Sequence, residues 1–506
     1  MHSDIQNQQL PQVSGELTTM KLPPNEGGVV SFSFLRGATW LLLAYFCVRL
    51  VYFSLTISSA VPPDEVSHVG LCKIFSKVFL LPLNSSETYE FGLVTNTTWF
   101  YYWVMGKMLH LNFFGISELV FLRLLNIPIA FGTVWYALRL LRLITSDRLA
   151  QLLLLVAITN TAMFSFLSAS VSPDNLANLL AAMAVYYLLA FFKVRSGHLL
   201  AAAILCQLAG CLTKSSFLAL LPVLSLLFLI HEGRNLRHFP AALRGYFEST
   251  GYKAWLAALM ILIAFGLNLQ LHAADYLKYG SLTPKMSDVI PVEKAVENRI
   301  AARENIFRLY TEEKITYMEA LVMTGEIKHP GDKADTFFLL MNYENLKRNP
   351  SLWMSLPQYV IVWFEGVTGS IFGIKAHQPM FKGFNYLVPF YVVMALAILA
   401  FLIRWRPRES GWLSPCLAVI VCFYVVFIMY RINFGSYLYY GTPGITLQGR
   451  YLFPVIAPVY VLMCHYLLIL FRAEYLRLTV ALATALLFVA SDFPYFLMHA
   501  TPKWFV

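Results

Sequence analysis

The sequence predicts an all-α polytopic membrane protein of about eleven transmembrane helices (11–13), and three observations carry that prediction. Of its 506 residues, 58% are hydrophobic and only 13% are charged. Mean hydropathy is +0.61. A soluble domain holds roughly 25% charged and 45–50% apolar residues, so a water-soluble globule of this size is excluded. The apolar residues also fall in runs, and a span needs only ~20 of them. Such runs occupy about 38–59, 118–138, 149–168, 175–192, 199–213, 215–230, 254–272, 383–403, 412–430, 449–471 and 478–491.

Charge gives the runs an orientation. The formal net charge of +10 would suggest nucleic acid in a soluble protein. Here its origin is the basic residues of short connections, which mark the cytoplasmic side, and no nucleic-acid partner is expected. Arg139, Arg142, Arg148, Lys193, Arg195, Arg234, Arg237, Arg244 and Lys253 fall on one face. Arg404, Arg406, Arg408, Arg472 and Arg477 join them by alternation. Asp64, Glu65, Asp174, Lys214, the 273–352 segment and Arg450 then share the outer face. The first 30 residues are polar and lack an apolar h-region, so no cleavable signal peptide is expected. The cysteines show no Cys-x-x-Cys spacing and read as small buried hydrophobes.

Four segments result: a cytoplasmic tail over 1–37, a transmembrane core over 38–272 with a first outer loop at 60–117, an outer segment over 273–382, and C-terminal spans over 383–506. In the first outer loop Val66, Ile74, Phe75, Val78 and Phe79 form an apolar stripe opposite Lys73 and Lys77. The run Trp99-Phe100-Tyr101-Tyr102-Trp103 has the character of an interfacial belt. The outer segment is balanced in charge, and Val292, Val296, Ile300, Ile306, Phe307 and Tyr310 give it an amphipathic helical pattern over 292–321. Residues 353–373 could span, but Pro357, Glu365 and three glycines favour an interfacial or re-entrant helix.

Candidate chemistry lies where ionisable residues meet apolar walls, since charge is costly there. Pro62 and Pro63 stop the first span. Asp64 then stands where a helix N-cap belongs, with Glu65 beside it and His68 one turn on. Capping alone would explain Asp64; a carboxylate at the outer end of a span can also act as general base for a hydroxyl. Gln448-Gly449-Arg450-Tyr451 opens a late span, and the Arg450 fork suits phosphate oxygens, although snorkelling to the interface is the blander alternative. Lys214 sits at the tip of a short hairpin, Arg49 midway along the first span, and Asp174 in the outer turn Ser172-Pro173-Asp174-Asn175, where capping is the simpler reading. Asn84 and Asn96 lie in glycosylation sequons, which matter only in a eukaryotic secretory cell. No metal-ligand spacing is present.

At these residues the chain resembles the type C (GT-C) glycosyltransferase superfamily. Pro-Pro-Asp-Glu-x-x-His after the first span, Ser-Pro-Asp before the fourth and Gln-Gly-Arg-Tyr-x-x-Pro before a late one resemble a large bacterial membrane family assigned to that superfamily. Protein O-mannosyltransferases are a more distant likeness, through Asp-Glu-x-x-His. The resemblance implies a GT-C-like core with two amphipathic juxtamembrane helices in the first outer loop. It implies a sugar donor on a polyprenyl phosphate and an acceptor that is a glycan, lipid-linked glycan or protein. Asp64 would then be the base, with Glu65 and His68 orienting it or contacting sugar and phosphate. Arg450, then Lys214, with Gln448, would hold the donor phosphate, supported by Arg49, Asp174 and Tyr451. Some relatives use a divalent metal; with no second carboxylate cluster, none is expected as cofactor here. The expected location is the bacterial inner (cytoplasmic) membrane, with the site facing the periplasm or exterior among membrane lipids. Two other classes compete: a transporter or flippase of a polyprenyl-linked glycan, which should place its polar groups near the midplane in paired repeats, and a non-catalytic envelope scaffold.

Overall fold

The computed structural model describes residues 32–506 apart from 234–236, 238, 328–329, 375, 378, 381 and 406–410. Most of the predicted tail, together with Arg234, Arg406 and Arg408, therefore lies outside the described residues. The regular structure of the described residues is helical, with two isolated β-bridges, Ile57 to Phe505 and Ile374 to Met380.

In chain order the helices begin with α1 (Phe32–Thr56), α2 (Glu65–Lys77), α3 (Phe100–Leu109), α4 (Glu118–Ile144), α5 (Arg148–Thr159), α6 (Ala162–Ser168), α7 (Pro173–Val194), α8 (Gly197–Thr213) and α9 (Leu220–Glu232). There follow α10 (Phe239–Thr250), α11 (Tyr252–Asn268), α12 (Ala274–Tyr279), α13 (Met286–Val289), α14 (Val292–Ala295), α15 (Arg299–Thr311), α16 (Tyr317–Gly325), α17 (Pro330–Arg348), α18 (Leu356–Phe372) and α19 (Phe384–Arg404). The chain closes with α20 (Leu413–Phe427), α21 (Gly435–Tyr440), α22 (Ile456–Ile469), α23 (Glu474–Ser491) and α24 (Phe493–His499).

Among the described residues nine helices are long and apolar enough to cross a membrane. The other two predicted runs are also helical but depart from a simple span. α5 and α6 together form one run bent by 67°, and α8 is only 17 residues long. This is an all-α polytopic membrane protein. The spans Pro173–Val194 and Gly449–Ile469 are the most enclosed, at 67% and 72% buried, whereas Tyr252–Tyr279 is 11% buried and peripheral. The core therefore gathers on the two segments that begin with Ser172-Pro173-Asp174 and Gly449-Arg450.

Local chemistry explains the boundaries that matter. Ser172 caps α7 by accepting from the Asp174 N–H, with Pro173 as its first residue. Asp147 caps α5, accepting from the Leu149 and Ala150 N–H groups. At the bend between α5 and α6 the Thr159 carbonyl is freed from the helix. It accepts from Arg49 Nη2 at 2.6 Å and from Ser165 Oγ at 2.8 Å. Arg49 also pairs with Asp492, and both are almost fully buried. Its charge mid-span thus holds a broken helix and the C-terminal end of the chain to α1.

Three outer-loop expectations are corrected. In α2 the packed face is Leu71, Cys72 and Phe75, with Ile74 half-buried beside them; Val66, and Phe79 beyond the helix end, are exposed. The reason is α3, which lies close against α2: a Cβ on Gly106 would sit 2.7 Å from the Cys72 carbonyl oxygen. That approach recruits part of the aromatic run as core, with Trp99, Tyr101 and Tyr102 buried and Phe100 and Trp103 half-buried beside them. The 292–321 pattern is also cut into three helices. Asn298 caps a new helix at Arg299, and Glu313 ends it with φ 57°. Ile306, Phe307 and Tyr310 are buried as expected, but Val296 and Ile300 are exposed.

Candidate active site

The adjacent acids Asp64 and Glu65 part company in the fold. Asp64 occupies the left-handed region at φ 58°, ψ 14°, and its side chain makes no cap hydrogen bond to α2. Asp and Asn tolerate that conformation better than most residues. The turn directs the Asp64 carboxylate away from its own helix. Oδ1 accepts from Arg299 Nη2 at 2.8 Å, and Oδ2 lies 3.4 Å from Arg450 Nη2. The capping explanation of Asp64 is therefore replaced by an ion-pair network.

Glu65 turns inward. It is 1% exposed, and its oxygens accept from Arg123 Nε at 2.9 Å, Arg123 Nη2 at 2.5 Å and the Val171 N–H at 2.8 Å. Arg123 Nη1 also donates to the carbonyls of Ser54 and Ile57. This buried bidentate pair ties α2 to α4, to the end of α1 and to the turn before α7. Of the two orienting or contacting roles expected of Glu65, contact with substrate is not open to this carboxylate.

The second carboxylate at the site is Asp174. Oδ1 pairs with Lys214 Nζ, and Oδ2 takes a hydrogen bond from Ser172 Oγ at 3.1 Å and lies 3.7 Å from Arg450 Nη1. Arg450 thus bridges Asp64 and Asp174. Lys214, at the recessed turn between α8 and α9, lies over the Tyr451 ring at 5.2 Å. Ser172 does cap α7, leaving Asp174 to face the cluster.

Arg450 is placed from behind by α18. The Gly449 N–H donates to Ser370 Oγ at 2.5 Å. A Cβ on Gly449 would lie 2.4 Å from Ile371 and 2.7 Å from the Val367 carbonyl oxygen, so the Gln-Gly-Arg turn needs glycine to lie so near that helix. Arg450 is 5% exposed. Among the described residues, its Nε and the Gln448 Oε1 are buried without a hydrogen-bond partner. Buried polar atoms are nearly always satisfied, so two such atoms in the turn that carries Arg450 to Asp64 are a feature to be explained.

His68 is set back from the anions. Its Nδ1 lies 2.9 Å from the Tyr102 hydroxyl. Burial lowers its pKa to about 4, against the pull of Asp64 in the other direction, so the ring is neutral near pH 7. For Asp64 burial works upward, but Arg450, then His68, Arg299 and His377, outweigh it and leave the carboxyl below its ordinary value.

Three members of the cluster carried no signal in the sequence. Asn298, which caps α15, donates to the Glu90 carbonyl in the first outer loop at 2.9 Å, and this sets Arg299 over Asp64. Arg299 Nη1 donates to Asp332 Oδ1 at 3.2 Å, and His377 Nε2 accepts from the Asp64 N–H at 3.5 Å. The predicted residues Asp64, Asp174, Lys214, Arg450 and Tyr451 meet, with Gln448 adjacent in the same turn. Arg49 does not join them; its charge is used by Asp492 and Thr159. The sequons are occupied internally, Asn84 Nδ2 by Thr95 Oγ1 at 2.7 Å and Asn96 Nδ2 by Asp275 Oδ1 at 2.6 Å.

The molecule is thus a polytopic bundle in which one cluster of ionisable groups gathers at the N-terminal ends of its two most enclosed helices. No protein-family model matches the chain, and no curated protein matches it. Among solved structures, the archaeal oligosaccharyltransferase AglB from Archaeoglobus fulgidus, in complex with an inhibitory peptide and a dolichol-phosphate, is similar over 92% of this chain and 56% of its own, at 12% identity and a TM-score of 0.43. The chain spans little more than half the length of that structure. ArnT from Cupriavidus metallidurans in the apo state is similar over 85% of this chain and 77% of its own, at 10% identity and a TM-score of 0.37. The same enzyme bound to undecaprenyl phosphate gives 14% identity and a TM-score of 0.35.

Proposed function

We propose that the protein is a membrane glycosyltransferase that moves a sugar from a polyprenyl-phosphate donor to an acceptor hydroxyl at the extracytoplasmic face, with inversion. One observation carries this reading: Asp64, freed from capping by its left-handed turn, lies 3.4 Å from an arginine whose buried Nε has no hydrogen-bond partner among the described residues. A proton acceptor and a phosphate ligand are then close enough to serve the two sides of one displacement.

In that reaction the acceptor O–H gives its proton to an Asp64 oxygen while the acceptor oxygen bonds to the anomeric carbon. The bond from that carbon to the phosphate oxygen breaks, and the electron pair leaves with the polyprenyl phosphate. The low pKa of Asp64 keeps it in the anionic form that a proton acceptor needs. The charge growing on the departing phosphate is met by Arg450 and Lys214. Gln448 Oε1 is an acceptor for a sugar hydroxyl. Attack and departure on opposite sides of the anomeric carbon invert it.

The donor set favours an anion over a divalent metal. Asp64, Asp174 and Asp332 each face a guanidinium or ammonium group, and a dication entering there would meet Arg450, Lys214 and Arg299 at close range. No step is therefore routed through a metal. The test is transfer by the purified protein in liposomes from a synthetic polyprenyl-phosphate sugar to an acceptor extract, wild type against Asp64→Asn. Transfer that depends on Asp64 supports the reading. Transfer unaffected by the change overturns Asp64 as base, and lipid movement without transfer makes the protein a flippase.

A further inference from the structure

A second site lies at the other end of the bundle. Arg36 is twenty residues before the end of α1, and at 1.5 Å per residue this separates it from the Asp64 end by about 30 Å, the thickness of a hydrocarbon core. There the start of α1, the end of α4 and the start of α5 enclose a cavity of about 460 Å³. Leu138, Leu152 and Leu155 give it an apolar wall, and Arg36, Arg142 and Arg148 its charged rim.

Among the described residues that line this cavity the charged ones, Arg36, Arg142 and Arg148, are all basic. Asp147, the nearest acid in sequence, pairs with Arg477 and caps α5. Arg142 Nε donates to Gln151 Oε1 at 3.0 Å, which fixes its guanidinium at the mouth. All three arginines are exposed. Guanidinium forks match phosphate oxygens, and basic pockets between spans on the cytoplasmic side are suited to anionic head groups. The positive-inside rule assigns this face to the cytoplasm. The molecules surrounding such a mouth carry a phosphate joined to an acyl chain, which is the pairing that three arginines beside a leucine wall would accept.

We propose that this cavity binds an anionic phospholipid of the cytoplasmic leaflet, its phosphate on Arg36, Arg142 and Arg148 and an acyl chain along Leu138, Leu152 and Leu155. The occupant is distinct in position and leaflet from any donor lipid at Asp64, and the proposal does not depend on the transferase reading. By joining α1 to α4 and α5, the lipid would stabilise the folded protein by ordinary linkage.

The test uses the full chain in detergent, titrated with phosphatidylglycerol, phosphatidylcholine or inorganic phosphate, and read by native mass spectrometry and thermal unfolding. Phosphatidylglycerol is expected to bind saturably and raise Tm. The triple change Arg36→Gln, Arg142→Gln and Arg148→Gln is expected to weaken that binding by about a hundredfold, from three charges near the surface. A control, Arg195→Gln with Arg472→Gln, removes cytoplasmic charge elsewhere and is expected to leave binding unchanged. Equal retention of phosphatidylcholine, undiminished binding by the triple variant, or the same loss in the control would overturn the site. A comparable Tm rise with inorganic phosphate alone would replace the lipid by a free anion. Because bound lipid is counted directly, a general loss of stability in the triple variant would not be mistaken for loss of the site.

Discussion

Arg450 Nη2 stands 3.4 Å from Asp64 Oδ2, joining two side chains 386 residues apart in the chain. The same guanidinium reaches Asp174 at 3.7 Å. Two carboxylates at the ends of different spans thereby share one guanidinium, and in the proposed reaction this contact would position both the base and the phosphate ligand.

Asp64→Asn removes the proton acceptor while keeping the size of the side chain. A positioned general base contributes roughly 10²–10⁴-fold, and transfer is expected to fall by at least about a hundredfold on that scale. Tm should change little, because Arg299 keeps Asp332 and Arg450 keeps Asp174. The check is initial rate in liposomes at saturating donor.

Arg450→Lys retains the charge and loses the fork that spans both carboxylates. A charge-assisted hydrogen bond contributes about 1.5–3 kcal/mol, so donor KM is expected to rise by about ten- to a hundredfold. Donor titration with acceptor held constant measures it. An unchanged KM would mean that Arg450 does not touch the donor.

Removing Arg299 changes the pH profile in a stated direction. Its positive charge helps to hold the Asp64 pKa down, so Arg299→Gln makes the carboxylate harder to ionise. The acid limb of the rate profile should move to higher pH. The measurement is the rate against pH for wild type and variant; a shift to lower pH, or none, would disconnect Arg299 from the base.

His68 links stability to pH. Its folded pKa of about 4 lies below the ordinary 6.5, so between those values the unfolded chain binds a proton that the folded chain refuses. Stability is then highest above pH 6.5, falls as pH drops toward 4 and levels off below. His377 is shifted in the same direction by burial. His68→Gln should flatten the Tm profile across this window.

Glu65→Ala leaves Arg123 buried and unpaired and is expected to cost about 3–5 kcal/mol. The double change Glu65→Leu with Arg123→Met removes both charges. It should recover part of the loss only, because the Ser54 and Ile57 carbonyls then lack their donor, at about 1–3 kcal/mol each when buried. Thermal unfolding of the three variants makes the comparison.

Most of the architecture was legible from composition, because burying backbone polar groups in lipid leaves helices as the economical answer and apolar length marks them. Each predicted run is helical, and the motif residues Asp64, Asp174, Lys214 and Arg450 share one cluster. What was illegible depends on tertiary contact. Arg299, Asp332 and His377 lie in a segment of balanced charge, where no residue stands out until Asn298 docks on Glu90. Arg123 was one arginine in an apolar helix, and nothing local matched it to Glu65. Arg49 drew attention for the right physical reason, buried charge, but its partner is at the far end of the chain. The aromatic run after Trp99 misled because an interfacial belt and a packed helix face have the same composition; Gly106 decides between them by letting α3 approach α2.

The left-handed backbone at Asp64 also limits which sequence neighbours this position can tolerate. Asparagine suits the same twist, so a protein carrying it would keep its shape and lose only the proton acceptor proposed for this position. A β-branched replacement would strain the bend itself, swing α2 off its seat and disturb the Arg123 clasp next door. Inactive descendants of this chain are thus expected to drift first to asparagine here, remaining well folded in the bilayer long after they have stopped turning over.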